Sequence, residues 1–321
     1  MIKIIVTGSF RSDHCINLAL SGGSLAINLN SQGDGYNDDE VRNLPKLNLD
    51  DSSSKKKNMV TESSFKDCGL YRISHCSHQG HRPSMEDRHC HGTFEDVTAA
   101  FVFDGHGGQD IADRLATTFP ALIPKMIVSS PDEVVSLWRE TNDSFRKEIG
   151  DGPMAGSTCT GVIRVGNEWR VYNCGDSATY IIDSSARQVV FKTKDHSPSD
   201  PDEMKRIYEA GASVLNGRIN GNLAVARSFG DWYIPGVICD PDITIVTEGD
   251  VAAVMCDGIY ESFRGSVPDH VVISDVIDGV LEEAASRLID NGLTRGSGDN
   301  LSAIVVSLNG VITYPTPDIS S

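Results

Sequence analysis

Several acids in this chain stand where a short apolar run meets glycine. The run 99–103 ends in Asp104-Gly105-His106-Gly107-Gly108, and the run 252–256 ends in Asp257-Gly258. Asp299, in Gly298-Asp299-Asn300, comes just before the run 301–308, and Glu86-Asp87 stands ahead of the first run. An acid at the mouth of a buried strand is poorly solvated and needs a partner, of which a divalent cation is the strongest. Gly105 lets the backbone turn sharply, so its carbonyl can face the same ion. Taken singly, each place reads equally as an Asp-Gly turn between strands. Four such places, far apart in sequence, point to strand ends converging on hard cations held by oxygen.

Arg82-Pro83-Ser84-Met85-Glu86-Asp87 puts an arginine four residues ahead of the acid pair. Arginine suits phosphate because its planar fork donates two hydrogen bonds at once. An arginine beside carboxylate-held ions points to phosphoryl chemistry. Two cations ~3.5–4 Å apart can lower the pKa of a water between them and aim it in line at phosphorus. The leaving alkoxide then needs a proton. His106 is near enough in sequence to give it; a turn histidine bonded to backbone is the alternative.

The elements that must position these groups follow from periodicity. Residues 71–77 read as a strand. Residues 111–126 contain a helical segment broken near Pro120. Ser130-Pro131-Asp132-Glu133 is a capping box with Pro at the first helical position, followed by a helix face of Val134, Trp138, Thr141, Phe145 and Ile149. Strand-like runs at 159–165, 169–174, 179–182 and 189–192 are spaced as a meander. Asp200-Pro201-Asp202-Glu203 starts a helix ending near Gly211. A loop-rich stretch runs to Pro235. A strand at Val251, a helix over 282–291 and a strand at Leu301 follow. Runs of strands segregated from helices argue for an α+β layered fold.

Residues 1–65 differ from the rest. Residues 2–6 read as a strand. Ile16, Leu18 and Leu20 alternate before Gly22-Gly23, and Leu25, Ile27 and Leu29 alternate after it. A two-residue turn pairs Leu20 with Leu25, Leu18 with Ile27 and Ile16 with Leu29, putting six apolar side chains on one face. An isolated hairpin is marginal in water, so this face is expected to dock. Residues 32–58 are polar, with triple serine and triple lysine, and read as a solvated linker.

Composition narrows the class. The net charge of -17 over 321 residues disfavours nucleic acid and anionic membrane as partners. Eight cysteines with no Cys-x-x-Cys pair, most inside apolar runs, suit reduced, buried thiols. No apolar stretch reaches the ~20 residues of a membrane span, and the N-terminal run is too short for a signal peptide. The expected place is cytoplasmic or nuclear. Gly105 to Gly108 is no P-loop, because no Gly-Lys-Ser/Thr follows. Asp34 to Glu40 lacks calcium-loop spacing. His75, His78 and His81 with Cys76 are not expected to hold zinc.

The ordered set Arg82…Glu86-Asp87, Asp104-Gly105-His106-Gly107-Gly108, Gly156-Ser157-Thr158, Cys174-Gly175-Asp176-Ser177, Asp195-His196, the run from Gly221 to Asp231, Cys256-Asp257-Gly258 and Asp299-Asn300 resembles the metal-dependent serine/threonine protein phosphatases of the 2C type over residues 66–309. The resemblance implies a four-layer αββα fold: a central antiparallel β-sandwich flanked by helices. It implies a monomer that hydrolyses phosphoserine and phosphothreonine in proteins through a water bridging two Mn²⁺ or Mg²⁺ ions. Carried over, Asp104 bridges both ions. Asp257 and Asp299 complete one site, and Glu86 with the Gly105 carbonyl completes the other. Asp87 holds a water, Arg82 grips phosphate and His106 is the general acid. A weaker third ion lies near Asp176 and Asp257 in some relatives. Two departures bear on it: Ala178 stands where relatives often carry Arg, and Glu261 where many have Asp. The segment 198–233 includes a flap beside the site. Residues 1–65 form an extension and 310–321 a tail. The alternative function is that of a catalytically inactive relative acting as a scaffold.

Overall fold

A computed structural model describes residues 16–21, 24–29, 61–94, 97–150, 154–263 and 268–308. The chain divides into two units, Met1–Lys55 and Lys56–Ser321. In the first, strands β1 (Ile16–Ser21) and β2 (Ser24–Leu29) pair antiparallel. Ile16 stands opposite Leu29, Leu18 opposite Ile27 and Leu20 opposite Leu25, the register that alternation about a two-residue turn predicts. The expected strand at 2–6, most of the linker and the tail lie outside the described residues.

The second unit holds two antiparallel sheets. One is ordered β16 (Asp242–Val246), β10 (Glu168–Cys174), β9 (Cys159–Val165), β6 (Val97–Phe103), β5 (Arg88–Phe94). The other is ordered β12 (Gln188–Lys192), β11 (Ala178–Asp183), β17 (Val251–Met255), β18 (Leu301–Leu308), β4 (Tyr71–His78), β3 (Thr61–Asp67). β3 straddles the boundary expected at residue 65.

Every residue of β6 and β17 is buried, and alternate side chains explain why. Ala100 and Val102 meet Ala252, Val254, Ile304 and Ile181 between the sheets. Ala99, Phe101 and Phe103 face the other way, onto helices α1 (Asp110–Val128) and α2 (Pro131–Ile149). Ala253 and Met255 pack beneath α4 (Asp269–Ile277) and α5 (Ala284–Thr294). Four layers result, with the sheets inside and helices on both outer faces. The unbroken apolar runs are what a strand covered on both sides requires.

Two expectations fail in detail. α1 is not broken: it continues through Pro120 and Pro124. An interior proline costs about 3 kcal/mol, but α1 buries Ile111, Leu115, Phe119, Leu122, Ile123 and Met126, at about 1.5–3 kcal/mol each. The four runs from 159 to 192 are not one meander. β9 and β10 pair in one sheet and β11 and β12 in the other, and the chain changes sheet at Gly175-Asp176-Ser177. Beyond these, sequence periodicity does not mark β3, β5, β16 or α4. α4 is only nine residues long, and its apolar residues are all Val and Ile, which favour strands, although Val272, Ile273, Val276 and Ile277 fall on one helical face.

Candidate active site

Antiparallel pairing brings the acids together. Arg88 at the start of β5 pairs with Phe103 at the end of β6. Met255 at the end of β17 pairs with Ala303 of β18 and Ala178 of β11. The residues just outside these pairs are Glu86, Asp87, Asp104, Asp176, Asp257 and Asp299, so all six stand at one end of the sandwich. An open cleft of about 920 Å³ lies there, lined by Arg82, Glu86, Asp104, Gly105, His106, Asp176, Asp257, Glu261 and Asp299 among others. Asp87 stands behind the lining and is 3% exposed.

Crowded acids in so dry a place resist ionisation. Burial first, then the charges of Asp87, Asp257 and Asp176, holds Asp104 well above the usual carboxylate range, and it shares a hydrogen bond with Asp257. Burial likewise raises Asp87 to about 7, Asp176 to about 8 and Asp257 to about 6. Both carboxylate oxygens of Asp87 are buried without a hydrogen-bond partner. One oxygen of Asp87, one of Asp104 and the Cys256 sulfur lie within 4.8 Å of one another. Unsatisfied oxygens among mutually repelling carboxylates fit hard divalent cations.

The loop before β5 is fixed by Asn300, a residue to which the sequence reading gave no task. Its Oδ1 accepts from the Glu86 N–H at 2.7 Å, and its Nδ2 donates to the carbonyls of Gln79 at 2.8 Å and Ser84 at 2.9 Å. Glu86 in turn accepts from Ser84 Oγ at 2.7 Å and the Gly108 N–H at 3.1 Å. Arg82 Nη2 donates to Asp299 Oδ2 at 2.5 Å, with its side chain 57% exposed. Glu261 accepts from Ser297 Oγ at 2.7 Å and the Gly298 N–H at 2.9 Å, so it braces the loop that carries Asp299.

His106 has a partner that the sequence reading did not assign. Its Nε2 lies 2.6 Å from Asp231 Oδ2. Three two-residue strands make the contact: β7 (Gly105–His106), β8 (Gly156–Ser157) and β15 (Phe229–Gly230), with β8 in the middle. Gly156 sits at the crossing. A Cβ there would come 2.1 Å from Asp231 Oδ2 and 2.4 Å from His106 Nε2, so any side chain at 156 would push this pair out of place. Asp231 is fully buried and also accepts from Ser228 Oγ at 2.6 Å. Burial lowers the His106 pKa, but the hydrogen bond and charge of Asp231 outweigh it, and the net direction is up. The signal for Asp231 in the sequence was an acid closing the run that ends Ser228-Phe229-Gly230.

The segment 198–233 borders the cleft. It contains α3 (Pro201–Glu209), capped by Asp200, and the strand pair β13 (Val214–Leu215) and β14 (Arg218–Ile219). Ile207, Ala212, Ile219 and Ala226, with Ile234 just beyond it, give it a small core of its own. Arg218, Asn220, Asn222 and Tyr233 reach the cleft wall.

Residues 71–301 match the family model described as protein phosphatase 2C. The chain is 31% identical over 270 residues to protein phosphatase 2C homolog 3 of Schizosaccharomyces pombe, covering 74% of this chain and 64% of that relative. It is 32% identical over 253 residues to probable protein phosphatase 2C 69 of Arabidopsis thaliana, covering 74% of this chain and 70% of that one. A solved phosphatase from Toxoplasma gondii has the same fold, with a TM-score of 0.68 at 24% identity, covering 80% of this chain and 98% of that one. The class is set by these matches, whose members are described as protein phosphatases. Within that class, the chain belongs to the protein phosphatase 2C family. It spans just under two thirds of the length of the Schizosaccharomyces pombe relative.

Proposed function

We propose that the protein hydrolyses phosphoserine and phosphothreonine in proteins, with Mn²⁺ or Mg²⁺ held in the acidic cleft. The observation that carries this reading is the charge of the cleft wall. Six carboxylates (Glu86, Asp104, Asp176, Asp257, Glu261, Asp299) face two guanidiniums, Arg82 and Arg218. Of these acids, Asp104 and Asp176 hold protons while no cation is near; once all are ionised they exceed the two guanidiniums by four charges, which two divalent cations balance so that a phosphate dianion can enter.

Asp104, Asp257 and Asp299 would hold one ion, and Asp104, Glu86 and the Gly105 carbonyl the other. When bound, the ions supply Lewis-acid charge and lower the pKa of a coordinated water. The chain's own groups do the rest. Arg82 leaves Asp299 and turns its fork to two phosphate oxygens. Asp87 offers two unsatisfied oxygens to hold water at the site. His106 donates a proton to the departing serine or threonine oxygen, and Asp231 keeps its ring aimed and charged.

Asp104→Asn and Asp257→Asn test the reading. Both are expected to fold and to lose at least about 10³-fold in kcat on a phosphoserine peptide with Mn²⁺ present, as loss of electrostatic stabilisation implies. Unchanged turnover in both would falsify it. Absence of metal-dependent turnover in the wild type would favour the scaffold reading.

A further inference from the structure

A second group of side chains with metal-ligand chemistry lies inside the sandwich, away from the cleft lining. His75 comes from β4, and His89 and His91 from β5. His89 pairs with Val102 and His91 with Ala100. Those two partners point between the sheets, so the histidines beside them do too. His75 lies in β4 two residues from Ile73, which also points inward. The three rings meet at the edge of the sandwich, with centroids 3.7, 5.1 and 5.1 Å apart. One nitrogen of each lies within 4.8 Å of the others.

A buried imidazole ordinarily donates one hydrogen bond and accepts another. His75 does neither: it is 1% exposed, and both its ring nitrogens lack a partner. Nδ1 of His91 is also buried and unpartnered, while its Nε2 lies 3.4 Å from Ser64 Oγ. Each orphaned polar atom has lost its water with nothing in exchange, so three in one spot call for a compensating ligand. A purely packed role would be better filled by apolar rings. The rings are also in the form a metal needs. Burial and the neighbouring histidines push His75 down to about 2 and His91 to about 3, so both are neutral.

We propose that His75, His89 and His91 bind one zinc ion that pins the edge of the five-stranded sheet to the six-stranded one. Three neutral imidazoles are borderline-soft donors, which suit zinc rather than the Mg²⁺ or Mn²⁺ expected among the carboxylates. Zinc–nitrogen bonds of ~2.0–2.1 Å require the rings to draw inward from their present spacing. The fourth position falls to water or to Glu62, which shares a face of β3 with Ser64 and is the acid closest in charge terms to His89. Lys66 sits on that same face and donates to the His91 carbonyl at 3.3 Å, so Glu62 is needed to offset it. This is not the set that sequence proximity suggests. Cys76 faces the helices on the other side of β4, and His78 Nδ1 accepts from the Gly80 N–H.

The test uses the full chain carrying Asp104→Asn and Asp257→Asn, which weakens the acidic centre and leaves the histidines intact. Stripped with chelator and dialysed against micromolar Zn²⁺ with millimolar Mg²⁺, it should retain one zinc per chain. Adding His91→Gln or His89→Gln should lower zinc affinity by more than about 100-fold, beyond what loss of an outer-shell partner costs. Zinc should raise the melting temperature of the parent and leave that of either glutamine variant unchanged. Co²⁺ in the parent should give the intense visible bands of a four-coordinate, nitrogen-rich ion. Less than one zinc retained, equal retention in folded His91→Gln, or a weak six-coordinate Co²⁺ spectrum would each overturn the site. None of these readouts depends on phosphatase activity, so failure here leaves the proposed reaction standing.

Discussion

At the scale of single residues, the pair His106–Asp231 offers the sharpest test of mechanism. A serine alkoxide is a poor leaving group and needs a proton; an aryl phenolate leaves without one. General acids contribute about 10²–10⁴-fold. His106→Gln should therefore lower kcat on a phosphoserine peptide by about 10²-fold or more, and far less on an aryl phosphate. Asp231→Asn removes the carboxylate that aims the ring at 2.6 Å and should show the same substrate split. Equal losses on both substrates would mean that His106 does not supply the proton. Asn300 acts on position instead. Its three hydrogen bonds hold Glu86 and the two carbonyls before it. Asn300→Ala should cost about 2–4 kcal/mol in denaturant unfolding and weaken Mg²⁺ binding by calorimetry.

At the scale of elements, what was legible in the sequence was whatever depends on neighbours along the chain. The apolar runs that end on Asp104 and Asp257 announced strands buried on both faces. The capping box at Ser130 announced α2, and its two reciprocal bonds are present. What stayed hidden depends on tertiary contact. Packing decides that α1 survives two prolines. The change of sheet at Gly175 is a matter of which edge is free, and no local residue records it. Asp231 and Asn300 sit in recognisable motifs, yet their partners are 125 and 214 residues away. The link between the segment 198–233 and β16 is of this hidden kind. Glu203 of α3 binds Arg227 at 2.5 Å, Arg227 binds Asp242 at 2.9 Å, and His196 lies 3.2 Å from Asp242. The contact with His196 and the charge of Arg227 outweigh burial, which acts the other way, and carry the Asp242 pKa down to about 2. Its folded pKa lies below the ordinary 3.8, so its stabilisation is whole above that value and is lost as pH falls towards 2. Asp242→Asn should flatten this part of the acid-unfolding curve. An unaltered curve would place the acid sensitivity elsewhere.

At the scale of the molecule, the buried acids set a balance between metal and proton. Asp87 at about 7 and Asp176 at about 8 have folded pKa values above the ordinary carboxylate value. A raised folded pKa means stability that is present at low pH and lost as pH rises through that value. The buried histidines act in the opposite sense, but His75 and His91 are neutral in both folded and unfolded chains above about pH 7, so they add no slope there. Between about pH 7 and 9, the chelated protein should therefore lose melting temperature as pH rises. Divalent cations compete for the same oxygens and bind better as protons leave. At 100 times the dissociation constant they add about 2.7 kcal/mol, and most where the metal-free protein is weakest. Saturating Mg²⁺ should thus flatten or reverse the slope. Melting curves with chelator and with Mg²⁺ across that window decide the matter. A chelated protein whose melting temperature holds steady or climbs towards pH 9 would mean that the acids are already paired without metal.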